Sequence, residues 1–131
     1  MTLVVDSSTV VAALVDASEV GGWARDQLAA PDLVAPHLMP AEVTNVLRRL
    51  VKAQAIPSHV ATAALSELGL LAIELYPFGL LRERAWELRD NLTTYDAWYV
   101  ALAELHDAPL ATLDQRLTAA PGPRCTFRTC R

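Results

Sequence analysis

The pattern of apolar and polar positions predicts short buried strands alternating with amphipathic helices. Short apolar runs typical of buried strands lie at residues 2–5, 33–35, 71–75 and 110–113, with a weaker one around 126–127. Helical patterns are predicted over residues of about 7–15, 18–30, 41–54, 58–70, 81–89 and 95–106. A short seventh helix is predicted to begin at Gln115. Strands that alternate with helices indicate an α/β fold with a central, mostly parallel sheet of four or five strands flanked by helices.

The local signals are strongest in the third and sixth predicted helices. Pro40 suits the first position of a helix, and an apolar stripe at helical spacing follows it. Thr93 and Thr94 are good N-cap residues for the helix that begins near Tyr95. Asp107-Ala108-Pro109 then predicts a turn into the strand at 110–113.

Four acidic residues occupy comparable places in this pattern. Asp6 follows the first strand, and Asp114 follows the strand at 110–113. Glu42 and Asp96 lie in the first turns of their helices. In a parallel α/β sheet all four positions fall on the carboxyl edge, where open sheets bind ligands.

A cluster of four carboxylates predicts a metal site. The four charges would repel one another unless a cation lies between them. Mg²⁺ and Mn²⁺ prefer oxygen ligands, and a metal held this way orients a water for in-line attack on a phosphate. The sequence shows no serine or cysteine paired with a base that would suggest a covalent mechanism instead.

Each acid also has a purely structural explanation. Glu42 and Asp96 would each stabilise a helix N-terminus, by about 0.3–1 kcal/mol. Asp114 would cap a helix from Gln115, and Asp6 would serve in a turn. The three histidines and three tryptophans are interpreted as structural and packing residues.

Composition bounds the class of protein. The chain has 131 residues, 53% of them hydrophobic, which predicts a single domain over residues 1–131 with a real core. It has no apolar run of the length of a membrane helix and no basic segment typical of a signal peptide at its start. Cys125 and Cys130 would lie on opposite faces of a strand, so no disulfide is expected, and a cytoplasmic location is predicted.

Charge is distributed unevenly. The net charge of −4 argues against bulk attraction of nucleic acid. Ten of the eleven basic residues are arginine, and Arg116, Arg124, Arg128 and Arg131 follow Asp114 with no acid among them. Because arginine binds phosphate in a bidentate manner, an acidic centre with arginines around it suits phosphodiester substrates; solvated surface charge is the alternative.

Four sequence segments resemble the acidic motifs of a known family. VVDSS, PAEVTNVLRR, TTYDAWYVALAE and LATLDQRL are similar, in order and spacing, to the motifs of PIN-domain ribonucleases, and most closely to the VapC toxins of bacterial toxin–antitoxin pairs. The resemblance implies a three-layer PIN-like fold. It also implies a Mg²⁺- or Mn²⁺-dependent endoribonuclease with Asp6, Glu42, Asp96 and Asp114 as catalytic acids. Within that set, Asp6, Asp96 and Asp114 would be the metal ligands, with support from Ser8, Asn45 and Thr112.

The same resemblance implies partners. These are an RNA substrate, a second copy of the chain in a homodimer, and a cognate VapB-like antitoxin whose C-terminal segment occupies the site, giving a hetero-oligomer. We expect an amphipathic helix of the antitoxin to dock beside residues 23–28 and 60–70, and a following cation to lie near Asp6 and Asp96.

Other classes of protein fit less well. A haloacid-dehalogenase-like phosphatase would have a second aspartate where Ser8 stands, and a receiver-like signalling domain would need a lysine after a late strand, whereas the only lysine is Lys52. Nucleotide-binding glycine motifs are absent from the sequence. A PIN domain that only binds is disfavoured by four intact acids, and a PIN-like RNA-processing nuclease without an antitoxin stays open.

Overall fold

A computed structural model describes residues 1–130 of the chain. The elements are β1 (Thr2–Val5), α1 (Ser7–Val15), α2 (Glu19–Leu28), β2 (Asp32–Pro36), α3 (Met39–Lys52), α4 (Ser58–Leu70), β3 (Ile73–Tyr76), a 3-10 turn (Phe78–Leu80), α5 (Arg82–Glu87), α6 (Thr94–Leu105), β4 (Leu110–Ala111), α7 (Gln115–Ala119) and β5 (Phe127–Arg128). The predicted alternation of strands and helices is confirmed.

The five strands form one parallel sheet in the order β3-β2-β1-β4-β5. β1 is the central strand, where Val4 pairs with Val34 of β2 on one side and Leu110 of β4 on the other. Because all strands run the same way, their carboxyl ends share one edge of the sheet. The prediction of a three-layer α/β fold with four or five mostly parallel strands is therefore confirmed, with five strands and no antiparallel pair among residues 1–130.

The core lies between the sheet and the helices. Leu3, Val4 and Val5 are fully buried, as a strand covered on both faces requires. Helix α6 packs on β1, β2 and β4 and buries six of its residues. Helix α1 contacts α2, α3 and α4. The helices that carry predicted site residues are thus held by the same core as the strands.

A glycine permits the close packing of α2 against the end of α1. A Cβ at Gly21 would lie 1.7 Å from the Asp16 carbonyl oxygen, a distance that no side chain tolerates. At the neighbouring Gly22, a Cβ would meet nothing within 4 Å. Only the first of these two glycines is therefore required by packing.

A half-buried ion pair fastens the C-terminal segment to the helices. Arg84 Nε lies 2.6 Å from Glu104 Oε1, and the Arg84 guanidinium also donates to the Gly122 carbonyl at 2.8 Å. Glu104 Oε2 accepts the backbone N–H of Arg124 at 2.8 Å. These bonds join α5, α6 and the segment that leads into β5.

Element boundaries differ from the predicted ones at several ends. The third strand lies at Ile73–Tyr76, two residues later than predicted at its start, and β5 is one residue later. β4 stops at Ala111 because the Thr112 hydroxyl accepts the backbone N–H of Asp114, two residues on, which turns the chain. Among the described residues, no helix is long and apolar enough to cross a membrane.

Candidate active site

Asp6 is the most buried of the four acids. It follows β1 and caps α1, and it is 6% exposed. Its Oδ1 accepts hydrogen bonds from the Ser8 hydroxyl at 2.7 Å and from the backbone N–H of Thr9 at 3.0 Å, and its Oδ2 accepts one from the Thr112 hydroxyl. Burial raises the pKa of the Asp6 carboxyl, while these three hydrogen bonds oppose the rise.

The residues around Asp6 join two distant parts of the chain. Ser8 Oγ accepts the backbone N–H of Leu113 at 3.1 Å, and the Thr9 hydroxyl donates to the Ala111 carbonyl at 3.0 Å. Thr9 and Thr112 are both fully buried. The start of α1 and the end of β4 therefore form one hydrogen-bonded unit, which fixes the direction of the Asp6 carboxylate.

Glu42 lies in the first turn of α3 and is half-buried. Its Oε1 accepts a hydrogen bond of 2.6 Å from the Tyr99 hydroxyl of α6. Burial raises the pKa of Glu42, and the negative charges of Asp96 and Asp6 raise it further, against the hydrogen bond from Tyr99. Glu42 is thus within electrostatic reach of two of the other acids.

Asp96 and Asp114 lie on either side of a shallow cavity. Thr93 caps α6, as predicted, and Asp96 follows it in the first turn. Asp114 caps α7, its Oδ1 accepting the backbone N–H groups of Arg116 and Leu117 at 3.0 and 3.4 Å. A cavity of about 240 Å³ is lined by both acids and by Asn91, Leu92, Thr93, Arg116 and Leu117.

The charge of Asp114 also acts on Asp96. Burial raises the pKa of Asp96, and Asp114 adds to the rise, while the Thr93 hydrogen bond and Arg116 oppose it. The Arg116 guanidinium lies 3.9 Å from Asp114 Oδ1 with its side chain 97% exposed, so this cation is largely solvated. Pairwise electrostatic contact therefore connects all four predicted acids at one edge of the sheet.

The donor set is one that a hard divalent cation prefers, since it consists of carboxylate and hydroxyl oxygens. Three of the four carboxyls have raised pKa values. Burial disfavours the charged form of all three, and the charge of another acid adds to this for Glu42 and Asp96, so a nearby cation would favour the charged forms. As these side chains lie, no three Asp, Glu, His or Cys residues among residues 1–130 converge on one metal position. Asp6, Asp96 and Asp114 fit a cation by chemistry and location, and binding requires their side chains to move closer together.

The predicted supporting residues divide into two groups. Ser8 and Thr112 bond directly to Asp6. Asn45 is exposed one turn after Glu42, and its side-chain oxygen accepts a hydrogen bond of 3.1 Å from Arg48. The structure therefore brings two of the three to the acids, and Asn45 instead bonds within its own helix.

Sequence reasoning missed Tyr99 and Thr9. Tyr99 lies three residues after Asp96 within α6, so helical spacing puts both on one face. Thr9 lies three residues after Asp6, the N-cap of α1, and an N-cap side chain bonds the backbone N–H at that distance. This three-residue spacing is the feature of the sequence by which both residues could have been found. Of the arginines after Asp114 that the structure describes, only Arg116 lies at the acidic site. Arg124 lies in the segment before β5, and Arg128 lies in β5 itself. Arg131 lies outside the described residues.

Comparison with known proteins agrees with this architecture. The PIN domain family matches residues 3–123, so the chain is a PIN domain. Ribonuclease VapC1 of Mycobacterium tuberculosis is 44% identical over 129 residues, which cover 98% of this chain and 97% of that protein. The chain therefore belongs to the VapC branch of the PIN-domain family.

Solved structures show the same fold. The sarcin-ricin loop cleaving toxin VapC20 of Mycobacterium tuberculosis matches with a TM-score of 0.69 at 19% identity, over 89% of this chain and 93% of that one. A member of the VapBC family of toxin-antitoxin systems from the same organism matches with a TM-score of 0.57 at 18% identity, over 99% and 98% of the two chains.

Proposed function

We propose that the chain is an endoribonuclease and the toxin of a toxin–antitoxin pair, hydrolysing RNA phosphodiester bonds at the site formed by Asp6, Glu42, Asp96 and Asp114. The observation that supports the proposal is that these four acids lie along the carboxyl edge of a PIN domain, each close enough to at least one other to affect or feel its charge. The name of the relative Ribonuclease VapC1 supports the same activity.

The residues of the chain have distinct tasks in this proposal. Asp6, Asp96 and Asp114 would hold Mg²⁺ or Mn²⁺. A bound divalent ion would supply a polarised water for attack on the phosphate and would offset charge on the leaving oxygen. Asp6 accepts three hydrogen bonds, and a carboxylate has about four acceptor positions, so its orientation is set while one position is left for a cation. Glu42 is placed to accept a proton or a hydrogen bond at the same edge.

The experiment that tests the activity is cleavage of total bacterial RNA in buffers that contain EDTA, Mg²⁺, Mn²⁺ or Ca²⁺. We expect cleavage with Mg²⁺ and Mn²⁺, little with Ca²⁺, and none with EDTA. Ca²⁺ takes more ligands at longer distances and therefore holds the attacking water less well. Full activity in EDTA would point to a metal-independent nuclease.

An antitoxin partner is supported by the surface beside the acids. A cavity of about 540 Å³ lies between α1, α3 and the turn after α3, with Val11, Val15, Val46, Leu50 and Ile56 among its lining residues. Ser7 and Ser8 line its other end, next to Asp6. An amphipathic helix seated in this cavity would lead its following residues to the acids. The predicted flanking segments 23–28 and 60–70 do not line this cavity, and Trp23 and Leu28 instead pack against the core.

A homodimer is the second part of the proposed assembly. Nine large hydrophobic residues are exposed among residues 1–130, and six of them lie between Leu65 and Trp86. These six include Leu80 and Trp86, which are 60% and 66% exposed, and the edge strand β3 lies in the same segment. A concentration of exposed apolar side chains is typical of a protein interface. Sedimentation velocity measures the dimer directly.

A further inference from the structure

Tyr99 combines burial with a short bond to a site acid. Its side chain lies in the middle of α6 and is only 2% exposed, so it has no access to an RNA substrate. Its hydroxyl donates to Glu42 Oε1 at 2.6 Å, in the range of hydrogen bonds to charged acceptors. The pKa of the Tyr99 phenol is raised by burial and by the charge of Glu42, so it stays protonated and acts only as the donor.

The hydrogen bond from Tyr99 matters because the Glu42 carboxylate lies near two other negative charges. Asp96 and Asp6 both repel its carboxylate, and the side chain is only half-buried, so without a donor it would gain by turning toward water. Glutamate has several rotatable bonds, and one hydrogen bond from a rigid ring restricts them. Asp96 and Tyr99 are three residues apart on α6, so the same helix face supplies one acid and the donor that holds another.

We propose that Tyr99 is a positioning residue for RNA cleavage, whose hydroxyl holds the Glu42 carboxylate near Asp6 and Asp96. The inference rests on the proposed nuclease function. Tyr99 does not touch the substrate or the reacting atoms and acts through Glu42. The alternative is that the hydroxyl only satisfies a buried carboxylate and contributes to stability alone.

The test uses Tyr99→Phe, in which the ring fills the same space and only the oxygen is lost. Tyr95→Phe is the matched control, since it removes the same hydroxyl group from the same kind of residue. Tyr95 lies one turn earlier on α6 and is 61% exposed. The site of cleavage is first located in total bacterial RNA with the wild type, and a short RNA that carries it is the substrate. We expect kcat of Tyr99→Phe to fall about 10-fold or more, with KM unchanged, because loss of a residue that orients an acidic group of a metal site costs about 10- to 100-fold.

A double-mutant cycle with Glu42→Ala separates positioning from stability. When Glu42 is absent, Tyr99→Phe should lower kcat no further, because the hydroxyl has no carboxylate left to hold. The wild type, the two single variants and the double variant are also unfolded with urea in EDTA, a measurement that does not depend on cleavage. Tyr99→Phe should destabilise the wild type more than it destabilises Glu42→Ala, in which the buried hydroxyl has lost Glu42 and keeps only Ser7 nearby.

Each outcome decides between the readings. Wild-type kcat in a folded Tyr99→Phe protein would overturn the positioning role and leave the nuclease proposal standing. Losses in kcat that multiply in the double variant would mean that Tyr99 acts independently of Glu42, which also overturns it. A wild type that cleaves no RNA would defeat the nuclease proposal itself, and the role of Tyr99 in cleavage with it.

Discussion

At the scale of single residues, structural and chemical roles coincide. Asp114 is an N-cap, as its structural explanation predicts, and Asp6, for which a turn was predicted, is an N-cap as well; both also lie at the acidic edge. The sequence was sufficient to place the four acids, because the carboxyl ends of parallel strands share an edge whatever the details of packing. It was not sufficient for Tyr99, because the contact with Glu42 joins residues 57 apart and depends on how α3 and α6 pack.

Replacement of Asp96 by asparagine tests the site at this scale. We expect Asp96→Asn to lower RNA cleavage by more than about 100-fold, the upper end of what loss of a ligand's supporting residue costs. The protein should stay folded and should gain stability in EDTA, because burial and Asp114 disfavour the Asp96 charge. Asp26→Asn, an exposed position on α2, is the control for cleavage rate and melting temperature. Cleavage at the wild-type rate by folded Asp96→Asn would reject the assignment.

The raised pKa values predict an unusual dependence of stability on pH. In EDTA the folded protein binds protons at Asp6, Glu42 and Asp96 more readily than the unfolded chain does. The stability they contribute is therefore lost as pH rises through their folded pKa values, so the melting temperature should be higher in mild acid than at neutral pH. At still lower pH the melting temperature should fall because of Glu104. Burial alone would raise the pKa of Glu104, but the hydrogen bond and charge of Arg84 lower it on balance. The stability that the ionised Glu104 contributes is therefore lost when it is protonated.

Differential scanning fluorimetry with and without Mg²⁺ measures this effect. Saturating Mg²⁺ should stabilise the protein at neutral pH and much less in mild acid, since protons and metal compete for the same oxygens. The double variant Glu42→Gln, Asp96→Asn should show a smaller rise of the melting temperature in EDTA, and the part due to Asp6 should remain. A melting temperature that falls steadily from pH about 7.5 to 5.5 would contradict the expectation.

At the scale of elements, the alternation of apolar patterns predicted every helix and strand. The ends were less certain because they depend on tertiary contacts: β4 ends where the Thr112 hydroxyl meets Asp6 and the Asp114 backbone, a contact no local pattern shows. The packing of α2 on α1 is another such contact. It requires Gly21, although Gly21 and Gly22 are indistinguishable by sequence.

The two glycines give a matched pair of variants. Gly21→Ala should destabilise the protein by about 3 kcal/mol or more, because its methyl group would overlap the Asp16 carbonyl and force α2 away from α1. Gly22→Ala should stabilise it by about 0.5–1 kcal/mol, the usual gain for alanine within a helix. Urea unfolding of both variants measures the difference. Equal stabilities would show that α2 does not need its close approach to α1.

At the scale of the whole molecule, the proposed antitoxin and metal compete for one acidic site. A basic side chain from the partner would neutralise the carboxylates where the cation otherwise binds. We expect the protein purified with the product of the adjoining reading frame to cleave RNA more slowly than the free protein, and added Mg²⁺ to restore part of the rate. An antitoxin shortened after its docking helix is the control, since it should bind without inhibiting. A complex that cleaves as fast as the free protein would argue against the toxin role while leaving the nuclease intact.

The place of β4 in the sheet has a consequence for the timing of synthesis. β4 pairs directly with β1, and the hydrogen bond from Thr112 to Asp6 spans 106 residues. During translation β1 is therefore made long before its partner β4. Until β4 follows, the central strand lacks this neighbour, Asp6 lacks its donor Thr112, and the fourth carboxylate is missing. The acidic site is therefore incomplete on the nascent chain until β4 and Asp114 have been made and have joined β1.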